Sequence, residues 1–124
     1  MLFTRVPPSD FRLFLKIAST RNSYINQFVH MYEVKEYERM NCFLSFDGKS
    51  GYCLKGKEIV SVFSEVKGRG KGIVLDAIGR GGDSLDCFDG SHLVGFYKSS
   101  GFKVVKSEAN WNGKELPSVV YMRL

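Results

Sequence analysis

The hydrophobic pattern predicts a strand and two helices in the first third of the chain. Residues 2–6 (LFTRV) are mostly apolar and predict a short strand that ends at Pro7-Pro8. Ser9 is a typical helix N-cap, and it precedes apolar residues at helical spacing, namely Phe11, Phe14, Leu15 and Ala18. A second helix, with Asn22 or Ser23 as its cap, is indicated by a similar stripe formed by Ile25, Phe28, Val29 and Tyr32.

Three strands are predicted next, separated by turns. Residues 42–46 and 52–54 flank Asp47-Gly48, a dipeptide typical of hairpin turns. A turn at residues 55–57 follows. Residues 59–66 are rich in β-branched and aromatic side chains and predict the longest strand.

The pattern after residue 66 changes to glycine-rich segments between short elements. A basic loop, residues 68–72 (GRGKG), leads into a short helix at residues 73–78, and a strand is predicted at residues 85–88. Ser91 then caps a helix that carries Tyr97, and Gly101 is suited to its C-terminal cap. Residues 102–106 and 118–124 predict two final strands.

This order, β-α-α-β-β-β-α-β-α-β-β, predicts an α/β (α+β) fold with a mixed, mostly antiparallel sheet flanked by helices. With 124 residues and 44% hydrophobic residues, the chain is expected to form a single domain over residues 1–124. Residues 2–12 do not resemble a signal peptide, and no segment approaches the ~20 apolar residues of a membrane helix, so a cytoplasmic protein without a membrane partner is expected. The three cysteines lack metal-ligand or disulfide spacing, which predicts buried thiols and no metal site.

The net charge of +5 favours an anionic partner, and part of it is concentrated near the glycine loop. A strand followed by a glycine-rich loop and a helix is a recurring phosphate-binding arrangement, because backbone N–H groups at the helix start attract anions. The loop lacks the Gly-Lys-Ser/Thr ending of a Walker A motif. A plain surface turn is the alternative interpretation.

Two motifs in this order resemble those of the GNAT acetyltransferases. That superfamily binds the CoA diphosphate with Arg/Gln-x-x-Gly-x-Gly/Ala, which Lys67-x-x-Gly70-x-Gly72 matches with Lys at its first position. A second register begins at Arg69 and places Val74 at the last position. The family's Tyr-x-x-x-Gly-Phe motif matches residues 97–102 in every fixed position. The resemblance covers the element order of the whole chain, but in residues only about 62–105, which suggests a small and divergent member.

The resemblance implies direct transfer of an acetyl group from acetyl-CoA to an amine, without a metal. It implies Tyr97 as the acid that protonates the leaving thiolate and backbone donors within residues 63–66 for the oxyanion. Glu65 is the first candidate for the base, with Asp86 and Asp89 as alternatives. The cofactor-binding residues implied are Val66, Lys67, Gly68, Arg69, Gly70, Lys71 and Gly72.

Two departures from the family pattern leave alternatives open. Residues 72–85 are few, which predicts a truncated cofactor helix, and Asp89-Gly90 replaces an asparagine that often precedes the tyrosine helix. A binding module that has lost the reaction is therefore one alternative. A nucleic-acid-binding or -modifying protein, of a phage or mobile-element type, is another, since aromatic residues including Trp111 accompany the cations Lys67, Arg69, Lys71 and Arg80. The sequence identifies neither the acceptor amine nor the acyl group, and it leaves a homodimer open.

Overall fold

A computed structural model describes residues 2–89, 92–110, 112–113 and 115–124. Within these residues it contains seven strands and five helices: β1 Phe3–Val6, α1 Pro8–Arg21, α2 Ser23–Phe28, α3 Val34–Tyr37, β2 Asn41–Ser45, β3 Ser50–Lys55, β4 Glu58–Ser64, α4 Gly70–Gly79, β5 Ser84–Phe88, α5 His92–Ser99, β6 Lys103–Glu108 and β7 Val119–Arg123. The predicted class is confirmed: the chain has an α+β fold with mostly antiparallel sheet structure flanked by helices. The predicted order is also correct except for α3, which it lacked.

The chain divides into two compact units, Met1–Gly82 and Asp83–Leu124. In the first, β1 to β4 pair in sequence order, each antiparallel to the next. In the second, β7 lies between β5 and β6 and pairs antiparallel with both. No helix among the described residues has the length and apolar character needed to cross a membrane.

Helix α1 covers the core of the first unit. Its buried residues, Phe11, Leu15 and Ala18, recur at helical spacing and pack with residues of β2 to β4 in one cluster. The predicted N-cap at Ser9 is wrong, because the helix begins at Pro8, with Pro7 as the capping residue. Proline suits the first helical position, since its φ is already helical and its missing N–H would have no partner there.

Helices α2 and α3 form the connection to β2. The Asn22 side chain caps α2 as predicted, accepting from the N–H groups of Tyr24 and Ile25 at 3.0 and 3.3 Å. The predicted continuation of α2 to Tyr32 is wrong, because the helix ends at Phe28. The single turn of α3 is closed instead by a capping box between Glu33 and Glu36.

The second unit places the tyrosine helix beside β5. Gly101 has φ 103° and follows α5, as predicted for its cap, and the N–H of Phe102 donates to the Tyr97 carbonyl at 3.1 Å. The predicted cap Ser91 lies outside the described residues.

The three cysteines are buried and unpaired, as predicted. Cys42 and Cys53 belong to the first unit and are direct partners across β2 and β3. Cys87 lies in β5 of the second unit.

Candidate functional site

Strand β4 contains an irregularity in its middle. Gly51 pairs with Phe63 and Cys53 with Val60, so Tyr52 of β3 lies opposite two residues, Ser61 and Val62. This two-against-one count is that of a β-bulge. Ser61 has φ 52°, a left-handed conformation that non-glycine residues rarely adopt.

A buried hydrogen-bond network holds Ser61 in this conformation. Its hydroxyl donates to the His30 carbonyl and contacts the Tyr37 phenol, both at 2.8 Å. The same phenol accepts from the N–H of Tyr32 at 3.1 Å. Burial raises the pKa of Tyr37 to about 12, so this phenol stays protonated and can donate to Ser61. A strained backbone residue costs about 1–3 kcal/mol, and these bonds offset that cost.

The turn after β4 is fixed by its own side chains. The Ser64 hydroxyl donates to the Val66 carbonyl at 2.7 Å and accepts from the Val66 N–H at 3.1 Å. Glu65, the candidate base, donates its N–H to the Lys49 carbonyl at 2.8 Å. Its carboxylate lies 3.2 Å from Arg21. The predicted extension of β4 to Val66 is therefore wrong, since the strand ends at Ser64 and a structured turn follows.

Helix α4 begins earlier than the sequence predicted. Gly70, Lys71 and Gly72 were assigned to the loop, with a helix from Ile73, but they form the first turn of α4. The first bond within the helix runs from the N–H of Ile73 to the Arg69 carbonyl at 3.0 Å. The N–H groups of residues 70–72 therefore have no partner within the helix, an arrangement that favours anions in general.

Two glycines keep the approach to this helix start open. Gly68 has φ 85°, which favours glycine, and reverses the chain just before α4. A Cβ atom at Gly68 or at Gly72 would have no neighbour within 4 Å. Lys67 and Lys71 are exposed beside these glycines. The predicted cofactor-binding residues thus form one continuous segment, a turn at residues 66–69 followed by the first turn of α4, with two exposed lysines along it.

The Arg69 side chain is directed at the β2–β3 turn. Its guanidinium donates to both carboxylate oxygens of Asp47, at 2.8 and 3.1 Å, and to the Ser50 hydroxyl at 3.1 Å. These bonds hold the pKa of Asp47 well below its ordinary value, and the Ser45 hydroxyl adds to the effect. The bidentate pair ties the loop before α4 to the hairpin that Asp47-Gly48 predicted.

A second polar cluster fixes α4 against β3 and β1. The Tyr52 phenol donates to Asp76 at 2.5 Å, and Arg80 lies 3.0 Å from the same carboxylate. Arg80 also donates to the Phe3 carbonyl at 2.8 Å and lies 4.4 Å from the centroid of the Phe43 ring. The guanidinium of Arg80 is therefore part of the scaffold under α4.

Tyr97, the candidate acid, is 7% exposed in α5. Its ring lies at 5.3 Å from that of Phe96 and 6.1 Å from that of Phe102, between centroids. The alternative bases belong to the same unit: Asp86 is exposed on β5, and Asp89 follows that strand.

Sequence reasoning missed three residues that shape β4 and the loop after it. The irregular backbone of β4 lies at Ser61, and the expected backbone donors within residues 63–66 stay a prediction. The one signal in the sequence is the break in alternation at Ile59-Val60, where two buried apolar residues adjoin. Tyr37 carries no motif, and the hairpin motif of Asp47 gives no sign of its pair with Arg69. Both roles depend on contacts with residues that are distant in sequence, Ser61 and Arg69.

The fold of the chain is similar to those of solved acetyltransferase structures. An acetyltransferase from Bacillus subtilis, crystallised in complex with CoA, is 26% identical, with a TM-score of 0.58 over 73% of this chain and 80% of that one. A ribosomal-protein-alanine N-acetyltransferase from Brucella melitensis is 11% identical and has a TM-score of 0.62 over 100% of this chain and 99% of that one. An aminoglycoside 6'-N-acetyltransferase from Enterococcus faecium is 15% identical and has a TM-score of 0.61 over 98% of this chain and 95% of that one.

The chain is a divergent GNAT-fold domain. No protein-family model and no curated protein sequence matches it. Helix α4, the cofactor helix of the resemblance, has ten residues, whereas the sequence predicted a helix only at residues 73–78. Three of the added residues, 70–72, lie at its start, and Gly79 is added at its end. The expected truncation relative to the family stays a prediction.

Proposed function

We propose that this GNAT-fold protein is an N-acetyltransferase that uses acetyl-CoA as the acyl donor. The observation that carries the proposal is the open start of α4, where the N–H groups of residues 70–72 have no partner within the helix. The GNAT fold and the CoA bound to the Bacillus subtilis neighbour support the same ligand. The cytoplasmic location expected from the sequence stays a prediction.

The CoA diphosphate would bind at the start of α4. Backbone N–H groups of Gly70, Lys71 and Gly72 would donate to its oxygens, and the helix dipole favours the negative charge. Lys67 and Lys71 would add positive charge beside them, whereas Arg69 acts as a positioning residue through its pair with Asp47. Val66 and Gly68 would shape the turn rather than contribute side-chain charge.

The transfer itself joins the amine nitrogen to the thioester carbonyl carbon. The C–N bond forms, the tetrahedral oxyanion collapses, the C–S bond breaks, and CoA leaves as a thiolate. The bulge at Ser61 would present backbone donors of β4 to the oxyanion, and Tyr97 would protonate the thiolate.

The base that takes the proton from the amine is proposed to be Glu65. Its carboxylate lies 3.2 Å from the exposed Arg21, so this role requires that the ion pair open when the acceptor binds. Asp86 and Asp89 stay the alternatives.

Isothermal titration with CoA tests the binding part of the proposal. We expect micromolar affinity for the native protein and at least a roughly tenfold loss in Gly72→Val, because the added side chain would occupy the phosphate approach. Gly79→Val is the matched control, since it lies at the other end of α4 and a Cβ there also meets open space. Absence of binding near 1 mM CoA, or equal affinity in both variants, would refute the cradle.

Transfer is tested with the same protein and a panel of peptide and small-molecule amines, by following thiol release from acetyl-CoA. Tyr97→Phe should lower kcat about a hundredfold, while CoA affinity stays within roughly twofold of the native value. Native rates in that variant would rule out the acid role. Tight CoA binding with no acetylation of any amine in the panel would favour the binding module that has lost the reaction.

A further inference from the structure

The first unit contains a cleft at the end of β4 that lies away from the turn at residues 66–69. Its volume is about 380 Å³, and it is lined by Tyr32, Lys35, Glu36, Arg39, Met40 and Lys55. Lys55 lies opposite Glu58, the first residue of β4, in the register of β3 and β4. The turn at residues 66–69, in contrast, comes after Ser64, the last residue of β4. Six residue steps of a strand span about 20 Å, so the two sites are well separated.

Three cations converge on this cleft from two elements. Lys35 and Arg39 are four residues apart, on α3 and the turn after it, and Lys55 ends the neighbouring strand β3. Within the described part of the chain, the charged groups of these three side chains make no hydrogen bond or ion pair with the protein. Arg12, Arg21, Arg69 and Arg80, in contrast, each bind a carboxylate.

The one acidic residue in the lining, Glu36, offsets only one of the three positive charges. The Glu36 carboxylate accepts from the Glu33 N–H at 3.2 Å, which is its half of the α3 capping box. The cleft therefore retains a net positive charge. A guanidinium with two ammonium groups suits a phosphate, which offers several oxygens and up to two negative charges.

The remaining lining is apolar. Met40 is 7% exposed, and the Tyr32 ring is half-buried against the ring of Tyr37 at 5.6 Å between centroids. A cleft of this volume has the size of small-molecule sites. Charge and lining together favour a ligand with a phosphate group on a flat apolar body.

We propose that this cleft binds a small organic phosphate, with its phosphate held by Lys35, Arg39 and Lys55 and its apolar part against Tyr32 and Met40. The site is independent of the proposed acetyl transfer, because it uses none of the residues assigned to CoA. Binding at this site would change the surroundings of α3 and of the β3–β4 turn, where it can be measured.

Phenyl phosphate is a suitable probe, since it combines a phosphate dianion with an aromatic ring. Titrated into the labelled full chain, it should shift the backbone amide NMR signals of residues 32–40 and 55 saturably, with Kd below about 1 mM. Benzoate, a monoanion with the same ring, and inorganic phosphate, without the ring, should each bind at least roughly fivefold more weakly.

The variant Lys35→Gln/Arg39→Gln/Lys55→Gln should weaken phenyl phosphate at least about tenfold. The triple variant Lys16→Gln/Lys103→Gln/Arg123→Gln removes the same charge from exposed positions elsewhere and should bind as the native protein does. Thermal melting of both variants checks that the fold is intact.

Three results would overturn the proposal. Equal weakening in the two triple variants would mean a general charge effect. Shifts confined to residues 66–72 would mean that phosphate binds only at the start of α4, and the double variant Lys67→Gln/Lys71→Gln would then remove them. Absence of saturable shifts up to about 10 mM would mean that the cleft takes no phosphate.

Discussion

The hydroxyl of Ser61 links a strained backbone to three elements of the first unit. Its hydrogen bonds reach the Tyr37 phenol of α3 and the His30 carbonyl of the connection after α2, and Ser61 itself lies in β4. A serine is needed here because its side chain both donates and accepts, which an alanine cannot do. The shape of β4 at the bulge thus depends on one small polar side chain.

Replacement of Ser61 tests this dependence. Ser61→Ala should lower the free energy of unfolding by about 2–3 kcal/mol, because two buried hydrogen bonds are lost and the positive φ remains. Ser61→Gly loses the same bonds but relaxes the backbone, so it should cost about 1 kcal/mol less. Urea denaturation measures both values. Equal losses would show that φ at residue 61 is not strained.

Asp47 gives the stability of the first unit a defined pH dependence. Because Arg69 depresses the folded-state pKa of Asp47, its contribution is fully present above the unfolded pKa of about 4 and is lost as pH falls toward the folded value. We expect Asp47→Asn to cost about 1–2 kcal/mol between pH 5 and 8. The gap between native and variant proteins in thermal melts should shrink below about pH 4. A gap that is constant down to about pH 2 would contradict the ion-pair argument.

At the scale of elements, α4 combines weak local propensity with strong tertiary anchors. Glycines at residues 70, 72 and 79 disfavour a helix, yet ten residues are helical. The Arg69–Asp47 pair holds the N-terminal end, and Asp76 with Arg80 binds Tyr52 and the Phe3 carbonyl near the other end. The glycines at the start of α4 therefore lower the stability of the helix but leave its N–H groups accessible.

Gly72→Ala separates these two properties. Alanine should raise the free energy of unfolding by about 0.5–1 kcal/mol, since residue 72 is helical and a Cβ there meets nothing. The matching GNAT motif tolerates alanine at this position, so CoA affinity should stay within roughly twofold. Thermal melting and CoA titration give the two readouts. A destabilised Gly72→Ala variant would mean that the first turn of α4 is not helical in solution.

The elements that sequence patterns predicted well are those whose signals are local. The stripe of α1, the Asn22 cap and the Asp47-Gly48 turn each depend on neighbours within a few residues. The cap and the turn are confirmed, and so is the stripe except at Phe14, which is 38% exposed. The start of α4 was missed because glycine favours loops and the anchors that overrule it are distant in sequence. Helix α3 was missed because one turn of helix leaves no periodicity to detect.

The candidate site was predictable only as a set of residues. Motif spacing singled out residues 66–72 and Tyr97, and in the structure residues 66–69 form a turn that leads into α4 at residue 70. Motif spacing could not show that the Arg69 side chain is paired with Asp47 or that β4 is irregular at Ser61. Both features arise from contacts between segments, which no spacing rule encodes.

At the scale of the whole molecule, the net charge of +5 is less available for nucleic acid than the sequence suggested. Of the four cations in the basic cluster, Arg69 and Arg80 each bind a carboxylate, which leaves Lys67 and Lys71 exposed. Trp111, the proposed stacking residue, lies outside the described residues. The nucleic-acid alternative therefore loses half of its electrostatic support.

Binding of labelled DNA measures what support is left. We expect no saturable binding of single- or double-stranded DNA at about 150 mM salt and only weak binding at low salt. Only two cations of the basic cluster, Lys67 and Lys71, are not paired with a carboxylate, so binding there would release few counterions. Fluorescence anisotropy across a salt series is the appropriate measurement. Submicromolar binding at physiological salt would reinstate the nucleic-acid function.

Each of the two units contains at least one buried cysteine, whose alkylation reports the opening of that unit. Burial raises the pKa of Cys53, and that of Cys87 to about 11, so neither thiol should react with alkylating reagents until its surroundings open. Mass spectrometry after timed alkylation would then count openings of Met1–Gly82 through Cys42 and Cys53, and of Asp83–Leu124 through Cys87. A ligand that binds only the native protein slows such labelling in proportion to its occupancy. The alkylation rates of the native cysteines therefore report the binding of acetyl-CoA or phenyl phosphate without any engineered probe.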